Sequence, residues 1–212
     1  MIEVRGLTKT YGAVKALDQV TMSLRRGEVL GLIGHSGSGK TTLLRVIAGL
    51  DKADSGTVSI DGAPASVPEV VIEPSSRNIS VVFQVPALWP HMTVSQNIAF
   101  TIEDLPAAER EARVTHLLEA AGIAGYGDRR INELSGGEAR RVSILRGLAP
   151  RKPYLLMDEP LVNLDPELKT EIHDLIRSEV EGAGVLFVTH EQDELEGFAD
   201  RQLRIKGGRV EE

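Results

Sequence analysis

The sequence predicts an α/β protein: a mostly parallel sheet covered by helices, a flanking antiparallel β layer, and an inserted helical subdomain. Three observations predict this. Four short apolar runs, VLGLI (29–33), ISVVF (79–83), YLLM (154–157) and VLFVT (185–189), are unbroken rather than alternating, as strands buried on both faces are. Other stretches alternate: IEVRGL (2–7), VTMSLR (20–25), TVSID (57–61) and RQLRIKGGRV (201–210). They are bounded by turn signals such as Asp61-Gly62 and Gly207-Gly208, and read as the antiparallel layer. From about Ser95 to Ala149 no strong strand pattern occurs. The expected division is a core of 1–84 and 150–212 that includes the antiparallel layer, and a helical subdomain of 85–149.

Bulk properties narrow the function classes. The 212 residues suffice for one α/β domain with an insert. Apolar content of 42% and charged content of 26% are ordinary for a soluble globular chain. A net charge of −7 argues against a broad nucleic-acid footprint. With no cysteine, disulfides, thiolate metal sites and cysteine nucleophiles are excluded. The stretch MIEVRGLTKTYG lacks a signal-peptide core, and no apolar run approaches the roughly 18 residues of a membrane span. Any work at a membrane is expected from its side.

Along the chain, AAEREARVTHLLEAAG (107–122) puts Val114, Leu117, Leu118 and Ala121 on one helical face, with Gly122 as the stop. This is read as an ordinary surface helix. The Pro- and Ser-rich stretch 62–76 reads as a surface loop.

GHSGSGKT fits G-x-x-x-x-G-K-T/S, with Gly34, Gly39, Lys40 and Thr41 at the defining positions and His35, Ser36, Gly37 and Ser38 between them. It follows the strand VLGLI and opens the helix TTLLRVIAG, which begins with Thr41 and Thr42. Glycines let backbone N–H groups close on phosphate, and the helix N-terminus adds positive potential. Lys40 is placed to reach the β- and γ-phosphates and Thr41 to hold Mg²⁺. The core is therefore expected to be that of a P-loop NTPase. YLLMDE ends in two acids. Asp158 suits the metal's water shell, and Glu159 suits a general base. Gln84 and His190 end two other buried strands, at the carboxyl edge where open parallel sheets bind ligands. Gln84 is a candidate for metal or water, and His190 for the γ-phosphate. Tyr11, in a loop before the first hairpin, either stacks on a base or covers the core.

A second glycine pair, in LSGGEARR (134–141), also opens a helix. Ser135 and Glu138 fit a capping box, with Ser135 at N-cap and Glu138 at N3.

Tyr11, GHSGSGKT, Gln84, LSGGE, YLLMDEP, NLD (163–165) and His190, in this order and spacing, resemble the nucleotide-binding subunit of ATP-binding cassette (ABC) transporters over essentially the whole chain. The resemblance implies ATP on the phosphate loop, Tyr11 stacking on adenine, Gln84 and Asp158 attending Mg²⁺, Glu159 as base, and His190 as γ-phosphate switch. It places Asp165 in a loop that communicates across a dimer. It also implies that Ser135, Gly136, Gly137 and Glu138 close over ATP held by a second copy or a paired cassette, so that a head-to-tail dimer sandwiches two ATP molecules. VPALWPHMTVSQNIAF (85–100) resembles the segment of bacterial importer ATPases that receives a coupling helix. That implies integral membrane permease subunits contacting Gln84 to Met92, an extracytoplasmic substrate-binding protein, no direct nucleic-acid partner, and a cytoplasmic, peripheral place on the inner face of the cell membrane. Trp89 is either part of that contact surface or an anchor of the subdomain's own core.

The chain departs from the family pattern at Glu138, where glutamine is usual, and at ILRGLAP (144–150). Its ending at KGGRVEE leads to the expectation that it lacks the C-terminal regulatory domain of many importer relatives. The rival readings are a non-transport ABC ATPase acting on nucleic acid or ribosomes, a P-loop kinase or GTPase, and a degenerate regulatory cassette. No coiled-coil insertion, basic surface or N-K-x-D motif supports the first two, and intact Lys40, Asp158, Glu159 and His190 oppose the third.

Overall fold

The computed structural model describes residues 1–67 and 70–211. They form two compact units, Met1–Val81 with Pro153–Glu159 and Gly182–Glu212, and Val82–Lys152 with Pro160–Glu181.

In the first unit, β1 (Ile2–Tyr11), β2 (Val14–Leu24), β3 (Val29–Ile33), α1 (Lys40–Ala48), β4 (Ser55–Ile60), β5 (Ala63–Val67), β6 (Val70–Val71) and β7 (Ile79–Val82) follow in sequence; the last residue of β7 opens the second unit. After the long excursion come β8 (Tyr154–Asp158), β9 (Gly184–Thr189), β10 (Arg201–Lys206) and β11 (Arg209–Glu211). Two sheets result, ordered β2-β1-β4-β5-β6 and β11-β10-β3-β9-β8-β7. In the second, β10, β3, β9 and β8 run parallel, in register from Leu30↔Leu186 and Leu32↔Val188 to Leu156↔Leu186. Every residue of β8 and β9 is buried, which is why these strands read as continuous apolar runs. Leu43, Leu44, Val46 and Ile47 of α1 join the same core. Gly49, at φ 80, ends α1, and Leu50 N–H returns to the Arg45 carbonyl at 2.9 Å.

Three expectations fail here. RQLRIKGGRV does not belong to the antiparallel layer. Its first half, β10, pairs in parallel with β3, and only β11 folds back on it. β10 is covered on one face and exposed on the other, and that alternation looks the same in either kind of sheet. The stretch 62–76 is not a loop either: β5 and β6 extend the antiparallel sheet, and a short 3₁₀ turn follows at Pro74–Ser76. Pro64 is accommodated at a register shift between Val58 and Ser59. Pro68 and Glu69, within that stretch, lie outside the described residues. Tyr11 is also not in a loop; it closes β1 opposite Val14.

The second unit holds α2 (Val94–Ala99), α3 (Ala107–Ala120), α4 (Gly136–Leu148) and α5 (Pro166–Glu179). α3 buries Val114, Leu117 and Leu118 as its spacing predicts, with Gly122 at φ 67 beyond its end. It also buries Arg113, whose guanidinium donates to the Leu148 and Ala149 carbonyls at the end of α4 and pairs with Glu179. Burial raises the Glu179 pKa, but Arg113 and His116 outweigh it and hold the carboxyl below its ordinary value. Among the described residues no helix is long and apolar enough to cross a membrane.

Candidate nucleotide site

β3 delivers the chain into Gly34–Gly39, and α1 begins at Lys40. Neighbouring backbone dictates two of the glycines. A Cβ on Gly34 would lie 2.4 Å from the Ile205 carbonyl oxygen; one on Gly39, at φ 110, would lie 2.4 Å from that of Ala16. The loop is thus wedged between β2 and the C-terminal hairpin. Gly208 N–H donates to the Ser38 carbonyl at 3.0 Å, and Asp18 N–H to the Gly208 carbonyl at 2.8 Å. α1 has no side-chain cap and no acid in its first turn. Its leading N–H groups and the positive end of its dipole are therefore suited to receive an anion, with no acid of the first turn competing.

Lys40 is 4% exposed. Its Nζ donates to the Gly34 carbonyl at 2.6 Å and the His35 carbonyl at 3.1 Å. Burial pulls its pKa down, while Glu159 and Asp158 pull it back up. Around this ammonium stand the strand-end groups. Thr41 Oγ1 donates to Asp158 Oδ1 at 3.2 Å. Glu159 Oε1 lies 3.8 Å from Lys40 Nζ, and Glu159 Oε2 lies 3.2 Å from His190 Nδ1. Glu159 sits at φ 45, a left-handed conformation unusual for a residue with a Cβ. Its N–H is held by the Val188 carbonyl at 2.8 Å. The turn directs the carboxylate between lysine and histidine. His190 follows β9 and keeps 41% of its side chain exposed.

Thr41 and Asp158 are hard oxygen donors close together. This suits a small cation that keeps waters and phosphate oxygens as its other ligands. Among the described residues no group of three or more His, Cys, Asp or Glu forms an all-protein cage.

Tyr11 is 46% exposed, its hydroxyl donating to Asp51 Oδ2 at 2.8 Å. Asp51 is itself paired with Arg45, which is the main cause of its lowered pKa. Burial, then Asp51, raise the Tyr11 pKa. The hydroxyl is thus anchored while much of the residue stays open.

Gln84, Ser135–Glu138 and Asp165 fall in the second unit. Gln84 is exposed, and its carbonyl accepts from Arg140. Ser135 is the N-cap of α4. Its Oγ accepts from Glu138 N–H at 3.3 Å, and Glu138 Oε2 accepts from Ser135 N–H at 2.7 Å, the reciprocal capping box expected. The Ser135 N–H bond, the Tyr126 hydroxyl and the Ser135 side chain lower the Glu138 pKa to about 2; Arg129 Nη1 stands 3.8 Å from Oε1. The carboxylate is therefore turned into its own cap. Asp165 is the N-cap of α5, Oδ1 accepting from Leu168 N–H at 3.0 Å, with Pro166 in the first turn.

Sequence reading missed three supporting groups. Glu194, 4% exposed, accepts from the Thr189 hydroxyl at 2.6 Å, and Thr189 Oγ1 accepts from Glu191 N–H at 3.0 Å, which fixes the turn bearing His190. Arg77 lies buried beneath the end of α1, and Arg140 is buried within α4. The only available signal was a charge on an otherwise apolar helix face, which Arg140 shows and the other two do not.

The ABC transporter family model matches residues 17–162. The spermidine/putrescine import ATP-binding protein PotA of Nitrosospira multiformis is 43% identical over 216 residues, an alignment that takes in 100% of this chain and 58% of PotA. The sulfate/thiosulfate import ATP-binding protein CysA of Thermosynechococcus vestitus is 40% identical over 215 residues, covering 100% of this chain and 63% of CysA. The chain thus spans less than two thirds of these relatives. Among solved structures, the dimeric structure of MJ0796, a bacterial ABC transporter cassette, superposes with a TM-score of 0.90 at 32% identity, covering 100% of this chain and 97% of that one. A dimeric post-hydrolysis state of the same cassette, bound to ADP and Pi, gives 0.89 at 31% identity, with the same coverage.

Proposed function

The chain belongs to the ABC transporter family, and on that premise we propose that it is a transporter's ATP-hydrolysing cassette. The observation that carries this reading is the Glu159 carboxylate held between Lys40 and His190 beside an uncapped helix N-terminus. Lys40 exchanges its two carbonyl acceptors for β- and γ-phosphate oxygens, and the N–H groups of His35 to Thr42 surround the rest. Glu159 takes a proton from a water whose oxygen attacks the γ-phosphorus. The bond to the β-phosphate oxygen breaks, ADP leaves, and inorganic phosphate is formed. His190 donates to the γ-phosphate, and Tyr11 stacks on adenine. Mg²⁺, held by Thr41 and Asp158, would neutralise charge on the phosphate oxygens.

The second glycine loop serves another molecule's nucleotide. Ser135 accepts from Glu138 N–H and still has its own O–H to donate. Two copies, or two paired cassettes, joined head to tail would each close Ser135, Gly136 and Gly137 on the other's γ-phosphate, with Asp165 near the junction. ATP then joins the halves and its hydrolysis releases them. The dimeric cassettes at TM-scores of 0.90 and 0.89 support this pairing. The relatives' names favour import over the nucleic-acid and ribosome alternatives. The cassette would act as a peripheral subunit on the inner membrane face, against permease subunits that meet Gln84 to Met92, in a system with a substrate-binding protein. Polyamines are cations and sulfate is an anion, so similarity to both PotA and CysA does not select a cargo.

Lys40→Ala tests the activity. ATP hydrolysis is expected to fall to background while the circular dichroism spectrum is kept. Equal hydrolysis in both proteins would sink the enzyme reading.

A further inference from the structure

Residues 83–89 contain neither strand nor helix, so their carbonyls must find other partners. Four take side-chain donors. Arg140 Nη1 donates to the Phe83 carbonyl at 2.8 Å, and Nη2 donates to that of Gln84. Arg146 Nη1 reaches the Ala87 carbonyl at 2.6 Å. Asn97 Nδ2 donates to the Trp89 carbonyl at 3.1 Å, and Asn97 Oδ1 accepts from Trp89 N–H at 2.8 Å. Asn97 comes from α2; both arginines come from α4, the helix that Ser135 and Glu138 cap.

Arg140 is 6% exposed and two residues beyond Glu138. Its planar fork fixes two successive carbonyls with charge-assisted bonds, which a flexible ammonium cannot match. Arg146 holds its guanidinium carbon 4.9 Å from the Trp89 ring centroid, and that ring packs on Phe100 at 4.5 Å. The segment has no ladder of its own, so α4 and α2 define its shape. A shift at the start of α4 must carry Phe83 and Gln84 along or break these bonds.

We propose that Arg140 is a positioning residue that makes the Ser135–Glu138 loop and residues 83–89 one mechanical piece. Closure of that loop on nucleotide is felt at Trp89, and pressure on the segment after Gln84 is felt at the loop, because coupling between two sites is reciprocal. This rests on the reading above, that the loop closes on a second copy's ATP.

Trp89 is the only tryptophan, and so a built-in reporter. The full-length chain carrying Glu159→Gln is mixed with Mg-ATP, and light scattering and tryptophan emission are recorded on the same sample. The parent should dimerise and change its emission. Adding Arg140→Met should abolish the emission change while ATP, raised as needed, still drives dimerisation. Arg140→Lys, which restores one donor, should recover part of it, a graded rescue that general loosening of the fold does not produce. Affinity of the monomer for ATP should be unchanged. If Arg140→Met does not fold, Arg140→Lys carries the same comparison against the parent. An unaltered emission change in a dimer of either variant, or a parent dimer without any change, overturns the coupling. A parent that stays monomeric overturns the cassette reading, and the coupling with it.

Discussion

Replacing Arg77 with methionine removes five hydrogen bonds at once. Arg77 is 3% exposed. Its Nε donates to Ile72 O at 2.9 Å, Nη1 to Val46 O at 3.2 Å and Ile47 O at 2.8 Å, and Nη2 to Ala65 O at 2.8 Å and Ser66 Oγ at 2.7 Å. All five guanidinium donors are thereby used. Two acceptors lie in the last turn of α1, where the positive charge also meets the negative end of the helix dipole. Methionine keeps the stem volume and offers no donor. Val46 O and Ala65 O keep backbone donors from Gly49 and Ile72, so the loss falls mainly on Ile47 O, Ile72 O and Ser66 Oγ. At about 1–2 kcal/mol for each buried acceptor, less the relief of desolvating the cation, the variant should lose about 2–5 kcal/mol. For a chain of this size that is a fall of about 5–15 °C in Tm. Urea unfolding followed by far-UV circular dichroism measures it, and Arg77→Lys should recover less than half. A loss below about 1 kcal/mol with an unchanged m-value would refute the idea that this arginine, and the hairpin it grips, hold the phosphate-loop helix in place.

Two further outcomes follow from charges elsewhere. Burial, then Arg177, lower the His173 pKa to about 4 from 6.5, so the folded state prefers neutral imidazole. Its contribution is complete above about pH 6.5 and is lost as pH falls through that value toward 4, because the unfolded chain binds the proton first. Discounted for partial exposure, His173→Leu should remove about 1–2 kcal/mol of acid sensitivity between pH 7 and 4.5; parallel stability profiles for the two proteins would contradict this. Glu138→Gln keeps an oxygen for Ser135 N–H, so Tm should move by no more than about 2 °C. The carboxylate faces its own cap and Arg129 rather than outward, so ATP-dependent dimerisation should tighten by less than about fivefold. Analytical ultracentrifugation across an ATP series measures this, and a weaker dimer would show a role for the charge that the cap does not explain.

What the sequence disclosed, and what it hid, divides by range. Continuous apolar runs reported burial on both faces, so β3, β8 and β9 were legible, as was the strand-to-helix turn at Lys40. The Ser135 and Glu138 cap was legible because it spans three residues. β10 was misassigned because one-sided burial gives the same alternation whether the neighbouring strand is parallel or antiparallel. The 62–76 stretch was misread because Pro64 is tolerated at an irregularity that β4 supplies from outside the segment. The start of α5 is marked by Asp165 and Pro166, a cap and a first-turn proline, but the same residues carry the NLD motif, whose family role masks the helix signal. The partners of Arg77 and Arg140 were out of reach for another reason: apart from Ser66 Oγ they are backbone carbonyls, of residues such as Ala65 and Phe83, which carry no side-chain signature.

The central claim is that each nucleotide site is completed by the Ser135 loop of another copy. Glu159→Gln, which should bind ATP without hydrolysing it, tests this most directly in size-exclusion chromatography with light scattering. The account predicts a monomer alone or with ADP and a dimer with Mg-ATP, the dimer being abolished by Ser135→Arg. A protein that stays monomeric at saturating Mg-ATP, or dimerises equally well with Ser135→Arg, would contradict it.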